Sequence, residues 1–453
     1  MNPFFSVRPV THRFFFLGTV FLLSFLLVGL TFVRVIFPQR ALVRWPSPVE
    51  ERGRVVSADG SLLASGPVTA RVYPLGTTMS PIVGFVGRTE GLEGLERTQE
   101  AALRQGKTVA LTLDARIQEA AERILMAAVA RTNAEFASAV VLESQTGAVI
   151  AAASVPGFDP NAWETAPATR WRNRAVLDEY EPGSVIKPLT VAALLDAGLT
   201  TPETLYDTPM ARRYAGATIN DIVPHPPQLS TQQVLRYSSN VGMTHLVEGV
   251  PSALLYRYFT AFGLGQDVTL GLPTSNGLLR DPASWTPLGQ ATMAFGQGMT
   301  ATTIQMAAAF NVLAAGGRFL PPYLLQGSKP LNRYQVIKPE TARQMQAMLH
   351  AVIDDGIKTK AELPGYHVAG KTGTAQVVVG GRYSPNVFTS TFAGFSPPEQ
   401  PRFTVAVMVR GAQRDYQGSQ LAAPVFKEIS AALFSLYAMS PAQSPVPRQP
   451  EAP

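Results

Sequence analysis

Three short polar signatures lie in order along this 453-residue chain: Ser184-Val185-Ile186-Lys187, Ser238-Ser239-Asn240 and Lys371-Thr372-Gly373. They constrain the fold because they fall on three kinds of local structure that must converge for their chemistry to work. The turn Glu181-Pro182-Gly183 and the apolar run after Ser184 place the first at a helix start, where Pro188 is tolerated because the first helical N–H groups need no intrahelical acceptor. Gln232 to Tyr237 reads as a helix that delivers Ser238 and Asn240 onto a loop. Tyr366 to Val379 reads as a strand through Lys371, with Thr372 and Thr374 on one face by the two-residue period.

This set of residue types points to a serine nucleophile served by a lysine base. Ser184 on the first helical turn meets free N–H groups that favour developing negative charge, and Lys187 lies on the same face one turn on. A free lysine is protonated at neutral pH, so Lys187 must be desolvated and set near a second cation, for which Lys371 is placed. Moving its pKa from about 10.4 toward 7 corresponds to roughly 4–5 kcal/mol. Ser238 suits a proton relay and Asn240 an amide contact. Thr372, Gly373 and Thr374 beside the Lys371 ammonium suit a carboxylate receptor on a strand along which a peptide could pair.

Composition excludes other chemistries. The chain has no cysteine, so disulfides, thiolate metal sites and thiol nucleophiles are absent. Its five histidines form no ligand-spaced pair, which argues against a metal hydrolase and leaves a Ser-His-Asp triad little to draw on. A net charge of +6 without a Lys/Arg block gives no nucleic-acid signature.

The organisation read along the chain is α+β. A short N-terminus (1–13) precedes twenty uncharged residues, Phe14 to Val33, long enough for a transmembrane helix and followed by no small-residue cleavage site. Residues 34–110 form a small β-rich piece, with a hairpin about Ala58-Asp59-Gly60-Ser61. A helix capped by Asp114 follows, with Ile117, Ala121, Ile124, Leu125 and Ala128 at core spacing. Strands Ser138–Leu142 and Ala148–Ala153 come before a mainly helical stretch, 184–365. Strands Tyr366–Val379, Phe388–Phe395 and Arg402–Val409 and a helix over Ser419–Tyr437 come after it. Two early strands and three late ones predict a five-stranded antiparallel sheet with a helical lobe over 111–439. Residues 440–453 read as a disordered Pro-rich tail.

With these motifs the chain resembles the class B penicillin-binding proteins, monofunctional D,D-transpeptidases of peptidoglycan synthesis. The likeness extends through Arg52-Gly53-Arg54, Arg71-Val72-Tyr73-Pro74, Gly91 to Glu96, Phe295-Gly296-Gln297-Gly298 and Gly370 to Gln376. The resemblance implies a pedestal over 34–110 and a transpeptidase domain over 111–439, held by a single-pass anchor in the bacterial inner membrane with the catalytic domain outside. It implies that Ser184 takes the acyl group of a D-Ala-D-Ala stem peptide and passes it to an amine acceptor, with Lys187 as base, Ser238 and Lys371 assisting proton transfer, and Asn240 contacting substrate. The backbone N–H groups of Ser184 and Thr374 would form the oxyanion hole. β-Lactams would acylate Ser184, no cofactor or metal is called for, and a membrane-embedded glycan polymerase is the expected partner in division or elongation. A D,D-carboxypeptidase or β-lactamase on the same fold, or a non-catalytic membrane scaffold or sensor, remains the alternative reading.

Overall fold

The computed structural model describes residues 11–36, 51–328, 332–354 and 360–441. The chain divides into two units, 1–50 and 51–453. In the first, a helix, α1, runs over Thr11–Ile36. Its described side chains are those of 16–29, all exposed, a stretch of about 21 Å at 1.5 Å per residue. Among the described residues no helix is long and apolar enough to cross a membrane, so the span expected over Phe14–Val33 is not established by the structure. The expected N-terminus falls partly, and the expected tail mostly, outside the described residues.

In the second unit, β1 (Val55–Val56) and β2 (Leu62–Ala64) form the expected hairpin, and β3 (Val109–Ala110) pairs parallel to β1. The hairpin turn is tied down by Asp59, which accepts from Ser57 and Ser61 and from the backbone N–H of Ala115 at 2.9 Å. That last contact fixes the turn against the start of α2 (Ala115–Thr132), where Asp114 caps as expected by accepting from the Arg116 N–H. The Arg52, Arg71 and Glu96 positions prove to be one buried ionic cluster. Both Glu96 carboxylate oxygens accept an arginine Nε at 2.7 Å, one from Arg52 and one from Arg71, and all three side chains are almost fully enclosed. Three stretches far apart in sequence are thereby pinned together.

Next come β4 (Phe136–Glu143), β5 (Val149–Val155) and α3 (Lys187–Asp196). Beyond α3, the stretch expected to be helical departs from expectation. Residues 205–207 pair with 228–230, and β6 (Ala211–Tyr214) turns through Ala215-Gly216 into β7 (Ala217–Asn220). These strands alternate between exposed and half-buried positions, so no apolar face announces them in the sequence. Helices resume with α4 (Thr231–Tyr237), α5 (Asn240–Val247), α6 (Thr303–Ala314) and α7 (Pro339–Asp354).

The chain then returns to the sheet as β8 (Ala369–Val379), β9 (Arg382–Ser396) and β10 (Phe403–Arg410), and closes with α8 (Ala422–Leu436). The second of these strands starts earlier than expected. Gly380-Gly381, both at positive φ, supply the tight turn that joins β8 directly to β9. The sheet order is β8-β9-β10-β4-β5, antiparallel throughout, as the five-strand expectation requires.

Alternation along the central strands divides the core in two. Val405, Val407 and Val409 join Val141 against α2 and α8, where Phe392 packs on Phe426 at 4.3 Å between ring centroids. Ala406, Met408, Val140 and Leu142 face the opposite way, toward α6 and the helical lobe. Burying both faces with apolar side chains, at about 25 cal/mol per Å² removed from water, leaves the edge strand β8 firmly seated.

Removing the Glu96 carboxylate leaves the buried Arg71 guanidinium without an ion pair and Arg52 with Glu100 alone, a loss of the kind that costs about 3–5 kcal/mol. We expect Glu96→Ala to lower the urea midpoint of the 51–453 unit accordingly. An unchanged midpoint would mean that the cluster contributes nothing to stability.

Candidate active site

The three signatures converge on one cleft. Ser184 lies on a 3₁₀ turn, Gly183–Ile186, that runs straight into α3 at Lys187, so the serine occupies the first turn of a continuous helical segment. Gly183 takes φ +59°, and its N–H donates to the Gly296 carbonyl at 3.0 Å. A Cβ on Gly296 would sit 2.0 Å from the Gly183 carbonyl oxygen, which explains a glycine in the Phe295–Gly298 loop. On the other side, a Cβ on Gly373 would lie 2.4 Å from Thr391 Oγ1 and 2.8 Å from the Pro182 carbonyl. The nucleophile turn is therefore clamped between the 295–298 loop and β8, with backbone against backbone on both sides.

Along β8 the two-residue period does what the sequence required of it. Lys371, Gly373 and Ala375 are buried, while Thr372, Thr374 and Gln376 are more exposed, and the stretch Thr372 to Gln376 borders the cleft. The cavity, about 500 Å³, is walled by Ser184, Ser238, Asn240, Thr372, Gly373 and Thr374, with Tyr237, Phe295, Phe388 and Tyr416 around them. Thr374 Oγ1 also accepts the N–H of Gly418 at 2.9 Å, anchoring the 416–419 rim to the strand. A somewhat larger cavity, about 630 Å³ beside Phe319 and Tyr334, holds none of these residues.

Lys187 is fully buried. Its Nζ donates to the Ser238 carbonyl at 2.5 Å and to Asn240 Oδ1 at 2.8 Å, and lies 3.3 Å from Ser238 Oγ. Burial drives its pKa well below the usual lysine range, repulsion from Lys371 lowers it further, and Asp221 pulls the other way. Lys371, also buried, donates to the Thr372 carbonyl and is brought down by burial to about 8. A neutral amine has two N–H bonds and one lone pair. The two short contacts of Lys187 can take both N–H bonds, which leaves a lone pair on the nitrogen.

The sequence reading missed Asp221. Delivered by β7, this buried carboxylate accepts from Ser239 Oγ and the Asn240 N–H, each at 2.5 Å, from the Val241 N–H at 3.0 Å, and contacts His225 Nε2 at 2.8 Å. It caps the N-terminus of α5 and fixes the Ser238–Asn240 loop. Ser238 itself takes φ +58°, a left-handed conformation that turns its carbonyl onto Lys187. His225 is therefore a buried prop for Asp221, with no role in a triad. The only signal available was an acidic residue beside a proline-rich loop, which is too common to single out.

Comparison with known proteins agrees with this geometry. The family described as the penicillin binding protein transpeptidase domain matches residues 137–431. The chain is 34% identical to the probable peptidoglycan D,D-transpeptidase PenA of Neisseria flavescens, over 77% of this chain and 88% of that one. This chain belongs to the class B penicillin-binding proteins. Another member, peptidoglycan D,D-transpeptidase FtsI of Escherichia coli strain K12, is 32% identical over 79% of this chain and 66% of its own length. The crystal structure of penicillin-binding protein 3 from Mycobacterium tuberculosis complexed with ampicillin superposes with a TM-score of 0.82 at 31% identity, covering 88% of this chain and 97% of that one.

Without its carboxylate, Asp221 leaves buried donors on Ser239, Asn240 and Val241 unpaired, each a loss of about 1–3 kcal/mol. We expect Asp221→Ala in this penicillin-binding protein to slow acylation by labelled penicillin at least roughly tenfold, a barrier change of about 1.4 kcal/mol, and to lower the thermal midpoint. Wild-type acylation by a folded variant would show that the loop needs no such support.

Proposed function

We propose that this penicillin-binding protein is a serine D,D-transpeptidase that cross-links peptidoglycan stem peptides through an acyl-enzyme on Ser184. The observation that carries the reading is the buried amine of Lys187, held by Ser238 and Asn240 beside a second buried lysine.

Ser184 Oγ attacks the carbonyl carbon of the penultimate D-Ala while its proton passes to Lys187 Nζ. The oxyanion that forms is held by the backbone N–H groups of Ser184 and Thr374, where one donor is typically worth about 10²–10³ in rate. The carbon–nitrogen bond then breaks, and the terminal D-Ala leaves after its amine takes a proton from Lys187 through Ser238, with Lys371 assisting. Attack by a stem amine on the ester carbonyl forms the cross-link and returns the serine proton. Asn240 contacts the substrate amide. Thr372, Gly373 and Thr374 bind the peptide along the open edge of β8, and the hydroxyls of Thr372 and Thr374 with the Lys371 charge receive its carboxylate. A β-lactam presents a strained amide to the same serine and leaves a long-lived acyl group.

Anchoring in the inner membrane by Phe14–Val33, with the catalytic unit outside, rests on the uncharged stretch and on where stem peptides occur. Pairing with a membrane-embedded glycan polymerase follows from the family, as does the pedestal role of residues before 110. The tail, 440–453, is read as disordered from its proline content.

Mass mapping after incubation with benzylpenicillin should find the adduct on Ser184, and Ser184→Ala should abolish it. An adduct elsewhere, or labelling that survives the substitution, overturns the mechanism. An acyl group that turned over rapidly would instead make the protein a β-lactamase.

The two lysines also set a pH dependence. Acylation should fall in acid as Lys187 regains its proton, and fall again above about 8 as Lys371 loses its charge. Lys371→Arg, which keeps its charge throughout, should remove the alkaline limb from the penicillin acylation profile. An alkaline limb unchanged in that variant would assign the limb to another group.

A further inference from the structure

Asp221 brings a charge into the site that has to be balanced. The Asn240 and Val241 N–H groups donate to its Oδ1 and the Ser239 hydroxyl donates to its Oδ2, a set of partners that suits an ionised carboxylate. Its side chain is enclosed, and buried charges are paired. Lys187 lies just across Asn240, whose N–H donates to Asp221 and whose Oδ1 accepts from the lysine. An uncompensated Asp221 would therefore hold a proton on Lys187, which opposes the lysine's use as a base.

The contacts of His225 supply the missing charge. Its side chain is enclosed, with Nε2 at 2.8 Å from Asp221 Oδ2 and Nδ1 at 2.8 Å from the Pro226 carbonyl oxygen. A carboxylate and a carbonyl only accept. A neutral imidazole has one N–H, so its other nitrogen would turn a lone pair toward an oxygen lone pair at that distance. Protonation of both nitrogens makes each contact a hydrogen bond, the one to Asp221 assisted by opposite charge. The Tyr237 ring lies 5.8 Å from the imidazole between centroids, inside the reach of about 6 Å over which a cation is drawn to a ring. The other charge close by is Arg236, whose guanidinium lies over that same tyrosine at 5.4 Å. Pro224, Pro226 and Pro227 restrict the backbone on both sides, which stiffens the loop that carries the histidine.

We propose that His225 is held as a doubly protonated imidazolium that neutralises Asp221, a positioning residue through which Lys187 is left free to act as an uncharged base. Asp221 can then fix the Ser238–Asn240 loop by its hydrogen bonds without drawing a proton onto the neighbouring amine. The charge of the histidine stands on its own contacts, while its consequence for Lys187 rests on the mechanism proposed for Ser184.

Nitrogen NMR of the full-length protein in detergent, with both histidine ring nitrogens labelled, reads the charge directly. At about pH 8, above the ordinary histidine range, one ring should show both nitrogens protonated, and His225→Gln should remove that signal. A His225 ring with one bare nitrogen overturns the proposal. Glutamine can still donate to Asp221 but brings no charge. In acylation by benzylpenicillin, His225→Gln should therefore move the acid limb upward by roughly one pH unit, a tenfold loss of rate along that limb. Asp221→Asn combined with His225→Gln removes both charges and should return the limb toward its wild-type position. A purely structural role would instead lower the rate at every pH and leave the limb in place. That result, or a double variant that stays displaced, overturns the link to Lys187. If a variant fails to fold, the wild-type spectrum still decides the charge. A wild-type protein that penicillin does not acylate would end the catalytic reading and leave the imidazolium to be judged by its spectrum.

Discussion

The structure depends most on keeping an amine out of water. Lys187 is buried at the start of a helix with two acceptors, the Ser238 carbonyl and Asn240 Oδ1, at hydrogen-bond distance. Desolvating a charge is expensive, and the least costly response is to lose the proton. Lys371 raises that pressure from the neighbouring strand. Most of what surrounds these atoms reads as support for them. The sheet holds β8 in place, the 295–298 loop holds the nucleophile turn, and Asp221 holds the loop that supplies both acceptors.

This support is made largely of close backbone approach. At Gly296 the Gly183 backbone lies where a Cβ would stand, and at Gly373 the Pro182 carbonyl and the Thr391 hydroxyl do, so the Ser184 turn is located largely by close main-chain approach. Such contacts vary less than those between flexible side chains, which suits the proposed mechanism, in which serine and lysine act together through two successive acyl transfers. The ionic cluster of Arg52, Arg71 and Glu96 does the same work in the segment before residue 110, where short strands alone would bury little.

Much of this was legible in the sequence, for identifiable reasons. The five-stranded sheet showed itself because its strands bury one or both faces and so carry apolar alternation, as in Phe403 to Val409. The three signatures stood out by residue type and order, and the fold sets Ser184, Ser238 and Asn240 around one cleft with Lys187 and Lys371 buried beside it. Strands β6 and β7 did not, because Ala211–Tyr214 and Ala217–Asn220 bury no continuous face. Asp221 stayed hidden for a related reason: its importance lies in what it accepts across twenty residues of chain, and local pattern carries no record of that. The meaning of Arg52, Arg71 and Glu96 was equally invisible until distant segments were brought together.

The double clamp on the nucleophile turn also limits how the site can evolve. Positions with no room for a methyl group cannot drift, so the floor of the cleft is closed to gradual change. Lining positions such as Ile222, Val223, Tyr416 and Gln417 are not glycines and carry no such limit, so change that excludes a bulky acylating compound is easier there. Adaptation under selection by such compounds would reshape the doorway and leave the machinery behind it untouched.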